Sequence, residues 1–207
     1  EIAANRAYFH KVDEMYLEGY DPVRDPAKKT VGIPRCLMIH KLFPMVNGFF
    51  KQLGYNVVLS DASTEETVRL AQQSSQGEVC YPVKLIYGHM TQLLDQGVDY
   101  IFFPSLHTIR HEKSKSPHNY ACTYMQTAPA ILARERDFEG RGVELLSPLL
   151  EMDWGQEAMA KALLGVGAHL GHTERESARA MLAGGFVLRE FSRKTEELGA
   201  ELLASLK

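Results

Sequence analysis

Cysteine is scarce in this chain, with three residues, Cys36, Cys80 and Cys122, among 207. They are too few and too widely spaced for a disulfide framework, and no CxxC occurs, which excludes a zinc ribbon. The odd count and the lack of a signal-peptide pattern point to a reducing, cytoplasmic setting. No apolar run approaches the roughly 18 residues that a membrane span requires. Charge of one sign is lacking as well: the net charge of −3 gives no reason to expect nucleic acid or an anionic membrane as a partner. GxGxxG does not follow the first strand and GxxxxGK[ST] is missing, so neither a dinucleotide nor a P-loop nucleotide site is supported. No GxSxG nucleophile elbow and no HExxH zinc helix occur either.

What is present is an alternation of short apolar runs and amphipathic segments. The chain begins at Glu1 rather than Met, so it reads as a module of something larger. Apolar residues at Ala4, Tyr8, Val12 and Met15 predict a helix over residues 2–17. The stretch EGYDPVRDPAKKT (18–30) reads as a linker, so residues 1–29 form an N-terminal helix and linker. TVGIP, YNVVLS and VDYIFFPS read as strands, with a helix over 41–54 closed by Gly54 between the first two. STEETVRLAQQ opens like a capping box, with Ser63 or Thr64 as the cap and Glu66 or Glu65 reaching back. Pro82 suits the first turn of a helix that ends at Gly97. The expected architecture is therefore α/β over residues 30–153: a Rossmann-like parallel sheet flanked by helices. Residues 106–129 read as a long polar loop, GVELLSPLL (142–150) as a fourth strand, and residues 154–207 as additional C-terminal helices, the second bent or divided at Gly184–Gly185.

In an open parallel sheet, ligands bind beyond the carboxyl ends of the strands. Cys36 follows the first strand and Ser105 the third; Cys80 stands at a helix entrance, and Cys122 in the long loop. The three cysteines are 44 and 42 residues apart, about one strand–helix–strand excursion each, which allows all three to reach one crevice. Cys80, just ahead of the cap, would feel the positive end of the helix dipole, a field that favours the thiolate, and Lys84 would add to it. Against this stands the common fate of a cytosolic cysteine as a small buried hydrophobe, an alternative open for Cys80 and for Cys36. His107, His111 and His118 suit a solvated loop, and His40 and His89 suit packing or capping roles.

Several of these segments carry a resemblance. GIPR at a strand end, GYNVVLSD, E-x-C-Y-P-x-K, Gly88–His89 within a helix, VDYIFFP and N-Y-x-C resemble the domain of unknown function in large activator-type proteins of the 2-hydroxyglutaryl-CoA dehydratase system. The resemblance spans residues 30–132. It implies association with ATPase domains of the BadF/BcrA type and with a CoA-thioester dehydratase or reductase. More remotely, the segment is similar to the iron–sulfur subunits of 2-hydroxyacyl-CoA dehydratases, which hold a [4Fe–4S] cluster by three cysteines. That likeness implies Cys80 and Cys122 as metal ligands, with Cys36 or Ser105 completing the set. Ser105 stands where the family pattern places a cysteine. Two readings follow: an iron–sulfur redox module of an activase, or a cluster-free interaction or scaffold domain.

Overall fold

The structure, a computed structural model, describes residues 2–205 apart from 76, 78, 110–113, 117 and 136. Three successive strands, β1 (Thr30–Ile33), β2 (Asn56–Leu59) and β3 (Tyr100–Phe102), are joined by a fourth, β5 (Glu144–Leu146). They form one parallel sheet in the order β2-β1-β3-β5. The α/β expectation holds. β1 is buried throughout, as a strand covered on both faces must be.

The alternation along the strands divides the core into two layers. Val31, Ile33, Val57, Leu59 and Phe102 point to one face, which α2 (Ile39–Gln52) covers with Phe43, Val46, Phe49 and Phe50. Val58 and Ile101 point to the other, covered by α4 (Tyr81–Asp95) with Val83, Ile86, Met90 and Leu93. Gly54, at φ +89, follows the Leu53 C-cap of α2, and Gly97, at φ +64, follows the end of α4. Both helices thus stop where a left-handed glycine lets the chain turn into the next strand. The cap of α3 (Glu65–Ser74) differs from expectation. Thr64 is the N-cap, but its backbone is answered by the Thr67 hydroxyl, while Glu66 pairs with Arg69.

Residues 105–135 correct the predicted loop. Ser105–Thr108 is a strand, β4, and Thr123–Glu135 is a helix, α5. GVELLSPLL, read as one strand, is divided at Ser147–Pro148. Its first part is β5, and its second, β6 (Leu149–Glu151), leaves the main sheet to pair with β4. Proline has no N–H for the ladder, which favours the change of sheet at that point.

The C-terminal segment is α6 (Gly155–His169) and α7 (Glu174–Ser205). Gly184–Gly185 does not divide α7. A Cβ on Gly184 would stand 2.4 Å from the Met45 carbonyl oxygen of α2, so the glycine permits close helix packing. The N-terminal helix, α1 (Ile2–Tyr16), packs on α2 and α7, with Tyr16 buried against Phe43 at a ring-centroid distance of 5.0 Å. Among the described residues, no helix is long and apolar enough to cross a membrane.

Candidate functional site

Because the four sheet strands are parallel, their carboxyl ends share one edge. α4 leads into β3 and α5 leads towards β5, so both helices begin at that edge. Their first residues follow the two exposed cysteines. Cys80 is the N-cap of α4, with extended backbone at φ −61 and ψ 149 and its carbonyl accepting from the N–H groups of Val83 and Lys84. Pro82 is in the first turn, where its missing N–H leaves no helical hydrogen bond unmade. Cys122 plays the same part for α5, its carbonyl accepting from Met125 at 2.9 Å and Gln126 at 3.2 Å. The expectation of an irregular segment around Cys122 gives way to a helix entrance. Pro129 inside α5 is the reason the helix is hard to read from sequence.

The two entrances are neighbours. Val79, beside Cys80, and Tyr124, two residues beyond Cys122, line one cleft of about 140 Å³ between α4 and α5. Its walls are apolar: Val83, Ile86, Ala128 and Leu132. Three tyrosines stand exposed around it or beside the cysteines, Tyr81 at 59%, Tyr120 at 59% and Tyr124 at 41%. Phenol rings of this kind combine an apolar body with a polar tip, and they are common in contact surfaces.

Cys36 and Ser105 have other roles. Cys36 is buried among the residues that pack α4 and α5 on the sheet, and burial pushes its thiol pKa up. It is a small core residue held in the thiol form. Ser105 donates its hydroxyl to the Gln126 carbonyl, tying β4 to the first turn of α5. Between the ends of β1 and β3, where strand order reverses and a ligand crevice is expected, the space is closed. Leu37, Met38, Phe103, Pro104, Leu106 and Met125 leave about 10 Å³, at or below what one water needs. Leu37 reaches this plug with φ at 48°, a left-handed conformation uncommon for a residue with a Cβ.

These positions test the fit of a [4Fe–4S] cluster. Cys36 and Ser105 are both engaged, and the crevice between their loops holds packed side chains. Among the described residues, no three His, Cys, Asp or Glu side chains form a group able to hold a metal ion. The four residues do not fit as one donor set within this chain. The thiols that remain open are Cys80 and Cys122, and two thiolates alone make a weak cluster site.

The pattern Gly88–His89 has a structural cause. A Cβ at Gly88 would lie 2.2 Å from the Thr67 carbonyl oxygen, so glycine is what lets α3 cross α4. His89 is wholly buried, with Nδ1 2.9 Å from Ser60 Oγ and Nε2 3.0 Å from Ser63 Oγ. Ser60 Oγ also accepts from the Arg35 N–H at 2.8 Å. Its own proton is therefore available to Nδ1, which leaves Nε2–H to donate to Ser63. Burial first, then the charges of His40 and Arg35, lower the His89 pKa to about 4. A packing role is borne out for this residue.

His107 lies 3.4 Å from Glu151, and the His118 ring meets those of Tyr120 and Trp154. His111 lies outside the described residues.

No curated protein and no solved structure matches the chain. A family profile does, that of the CoA enzyme activase uncharacterised domain (DUF2229), over residues 30–207. The match runs past residue 132, where the sequence motifs end, and takes in α6 and α7. Taken with the α/β fold, this coverage shows that the chain belongs to the CoA enzyme activase uncharacterised domain family.

Proposed function

We propose that this chain is the partner-engaging module of a CoA-enzyme activase, and that it meets an enzyme acting on CoA thioesters through the edge formed by the entrances of α4 and α5. The observation that carries this reading is the contrast among the cysteines. Cys80 and Cys122 are exposed beside exposed Tyr81 and Tyr124, whereas Cys36 and the switch-point crevice are sealed inside. Aromatic side chains on rigid helix starts supply contact area at little entropic cost. ATPase domains of the BadF/BcrA type, in the same or another chain, would supply the energy-transducing part, since no nucleotide motif is present here. Alkylation tests this reading. In complex with the CoA enzyme, Cys80 and Cys122 should react with iodoacetamide at least about tenfold more slowly than in the free chain, which corresponds to a contact worth about 1.4 kcal/mol. Unchanged rates would remove the edge as the docking surface.

A second reading is favoured by the same pair of thiols: an iron–sulfur redox module. Cys80 and Cys122 would furnish two thiolates, and donors from the activated enzyme or an adjoining domain would furnish the rest. A cluster held there would supply one-electron transfer. Anaerobic preparation with iron and sulfide analysis separates the two. Iron bound only in the complex, and lost in Cys80→Ser, supports the redox module; none in either form supports docking alone.

A further inference from the structure

We infer that the open edge of β5 and β6, together with α6, is a docking cleft for an extended strand of a partner protein. β5 is the outer strand of the main sheet, and β6 pairs with β4 alone. Glu144 donates its N–H to the Asp99 carbonyl, and the carbonyls of Leu146 and Pro148 accept from Phe103 and Ser105, each at 3.0 Å. The ladder therefore continues from β5 into β6, and Glu144, Leu146, Pro148 and Leu150 turn their backbone groups inward. In a parallel ladder alternate residues serve opposite sides of the strand, so Leu145, Ser147 and Leu149 turn theirs outward. Among the described residues, the backbones of these three make no hydrogen bond. Proline is one device that blunts an exposed edge, but Pro148 withholds an N–H only from the inner side. The outer row is complete.

A cleft of about 780 Å³ lies beside this row, a size usual for binding pockets. Leu145 and Leu149 of the edge, Trp154 beyond it, and Ala158, Ala162 and Gly165 of α6 line it. Leu149 and Trp154 are 50% and 52% exposed. Gly165 is an independent sign of an occupant. Glycine inside a helix is unfavourable relative to alanine, and Gly88 and Gly184 are explained by neighbours that a Cβ would strike. A Cβ on Gly165 would meet nothing within 4 Å, so packing within this chain does not call for glycine there. A segment lying in the cleft does. The charges lining the cleft offset one another: His169 engages Glu144, His107 lies 3.4 Å from Glu151, and Glu157 and Lys161 stand one turn apart on α6. The backbone row therefore selects the occupant. Its complement is another extended backbone, and the small apolar walls suit small uncharged side chains on that strand. Leu145 to Leu149 spans about 13 Å, which five residues of an added strand cover. A second copy is a poor occupant, because an isologous contact sets the concave cleft against itself and leaves it unfilled. The cleft is separate from the α4–α5 edge, and neither assignment depends on the other.

The probe is an end-capped synthetic peptide of about eight residues in which Val and Thr alternate, with controls N-methylated at every Val or at every Thr. In fluorescence anisotropy the parent peptide should bind with a Kd below about 1 mM. One N-methylated peptide should bind at least about tenfold more weakly, because its donors on the paired edge are gone, and the other should bind like the parent. Amide exchange followed by NMR reads the chain itself. With peptide bound, the N–H groups of Leu145, Ser147 and Leu149 should exchange at least about tenfold more slowly, and those of Leu146 and Leu150 should not change. Gly165→Leu should weaken the peptide at least about tenfold and leave the melting temperature equal or higher, since the position is exposed and leucine is the better helix former. No saturable binding up to about 1 mM overturns the inference. So does equal binding of all three peptides, unchanged exchange at the three amides, or a Gly165→Leu variant that binds like the parent. Self-association of the chain that Gly165→Leu abolishes overturns it as well and assigns the cleft to a second copy.

Discussion

Acidification should destabilise this fold through His89, and the size of the effect can be worked from its surroundings. The folded imidazole is neutral, accepting at Nδ1 from Ser60 and donating from Nε2 to Ser63. Protonation would place a second donor against the Ser60 hydroxyl, whose other known bond already accepts from Arg35. It would also bury a positive charge near Arg35 and His40, and the pKa falls to about 4 from 6.5. In the unfolded chain the ring titrates near 6.5. Above that pH both states are neutral and the group adds nothing to the pH dependence. As pH falls from 6.5 to 4, the unfolded state takes up a proton that the folded state refuses, so stability is lost across that window. At 1.36 kcal/mol per pH unit the loss is about 3 kcal/mol by pH 4. Urea denaturation between pH 8 and pH 4 measures it, with His89→Gln as the reference, because glutamine keeps polar contacts but does not titrate. The parent should lose about 3 kcal/mol more than the variant over the window. Parallel loss would refute the reasoning and place the acid sensitivity elsewhere, first of all at His40, whose pKa is also lowered by burial and by Arg35.

Three further outcomes follow from packing and exposure. Gly184→Ala should cost about 1–3 kcal/mol in urea midpoint analysis, because its Cβ would meet the Met45 carbonyl of α2 at 2.4 Å; Gly185→Ala, with only Arg189 within reach at 3.8 Å, should be neutral or slightly stabilising by helix propensity. Phe102→Ala removes a fully buried ring packed on Phe50 at 5.3 Å and should cost about 3–5 kcal/mol. In native buffer, iodoacetamide should modify Cys80 and Cys122 and spare Cys36, which is 4% exposed; mass spectrometry after denaturation should then find Cys36 unmodified. Early labelling of Cys36 would mean that the α4 layer opens readily.

Much of the fold was legible because its signals are local. Thr30–Ile33 and Asn56–Leu59 are short apolar runs between breakers, and Gly54 and Gly97 punctuate the helices where left-handed turns are required. The sequence was silent where tertiary contacts override local preference. α5 carries Pro129 in its interior, and β4 is stabilised by pairing with β6, over forty residues further along the chain. At the candidate site the helix entrances of Cys80 and Cys122 differ in the same way. Pro82 announces the first, and nothing in NYACTYMQ announces the second. Cys36 is buried in the same core cluster as Val83 and Ile86 of α4 and Leu132 of α5, a tertiary assembly that spacing along the chain cannot report.

Cysteine footprinting of the complex tests the central claim most directly. The chain, with and without the CoA enzyme that its activase serves, is labelled with iodoacetamide, and each thiol is read by mass spectrometry. Slower labelling of both Cys80 and Cys122 on complex formation, by about tenfold or more, is the expected result. Labelling of both at the same rate in the complex as in the free chain would contradict the assignment of this edge as the working surface.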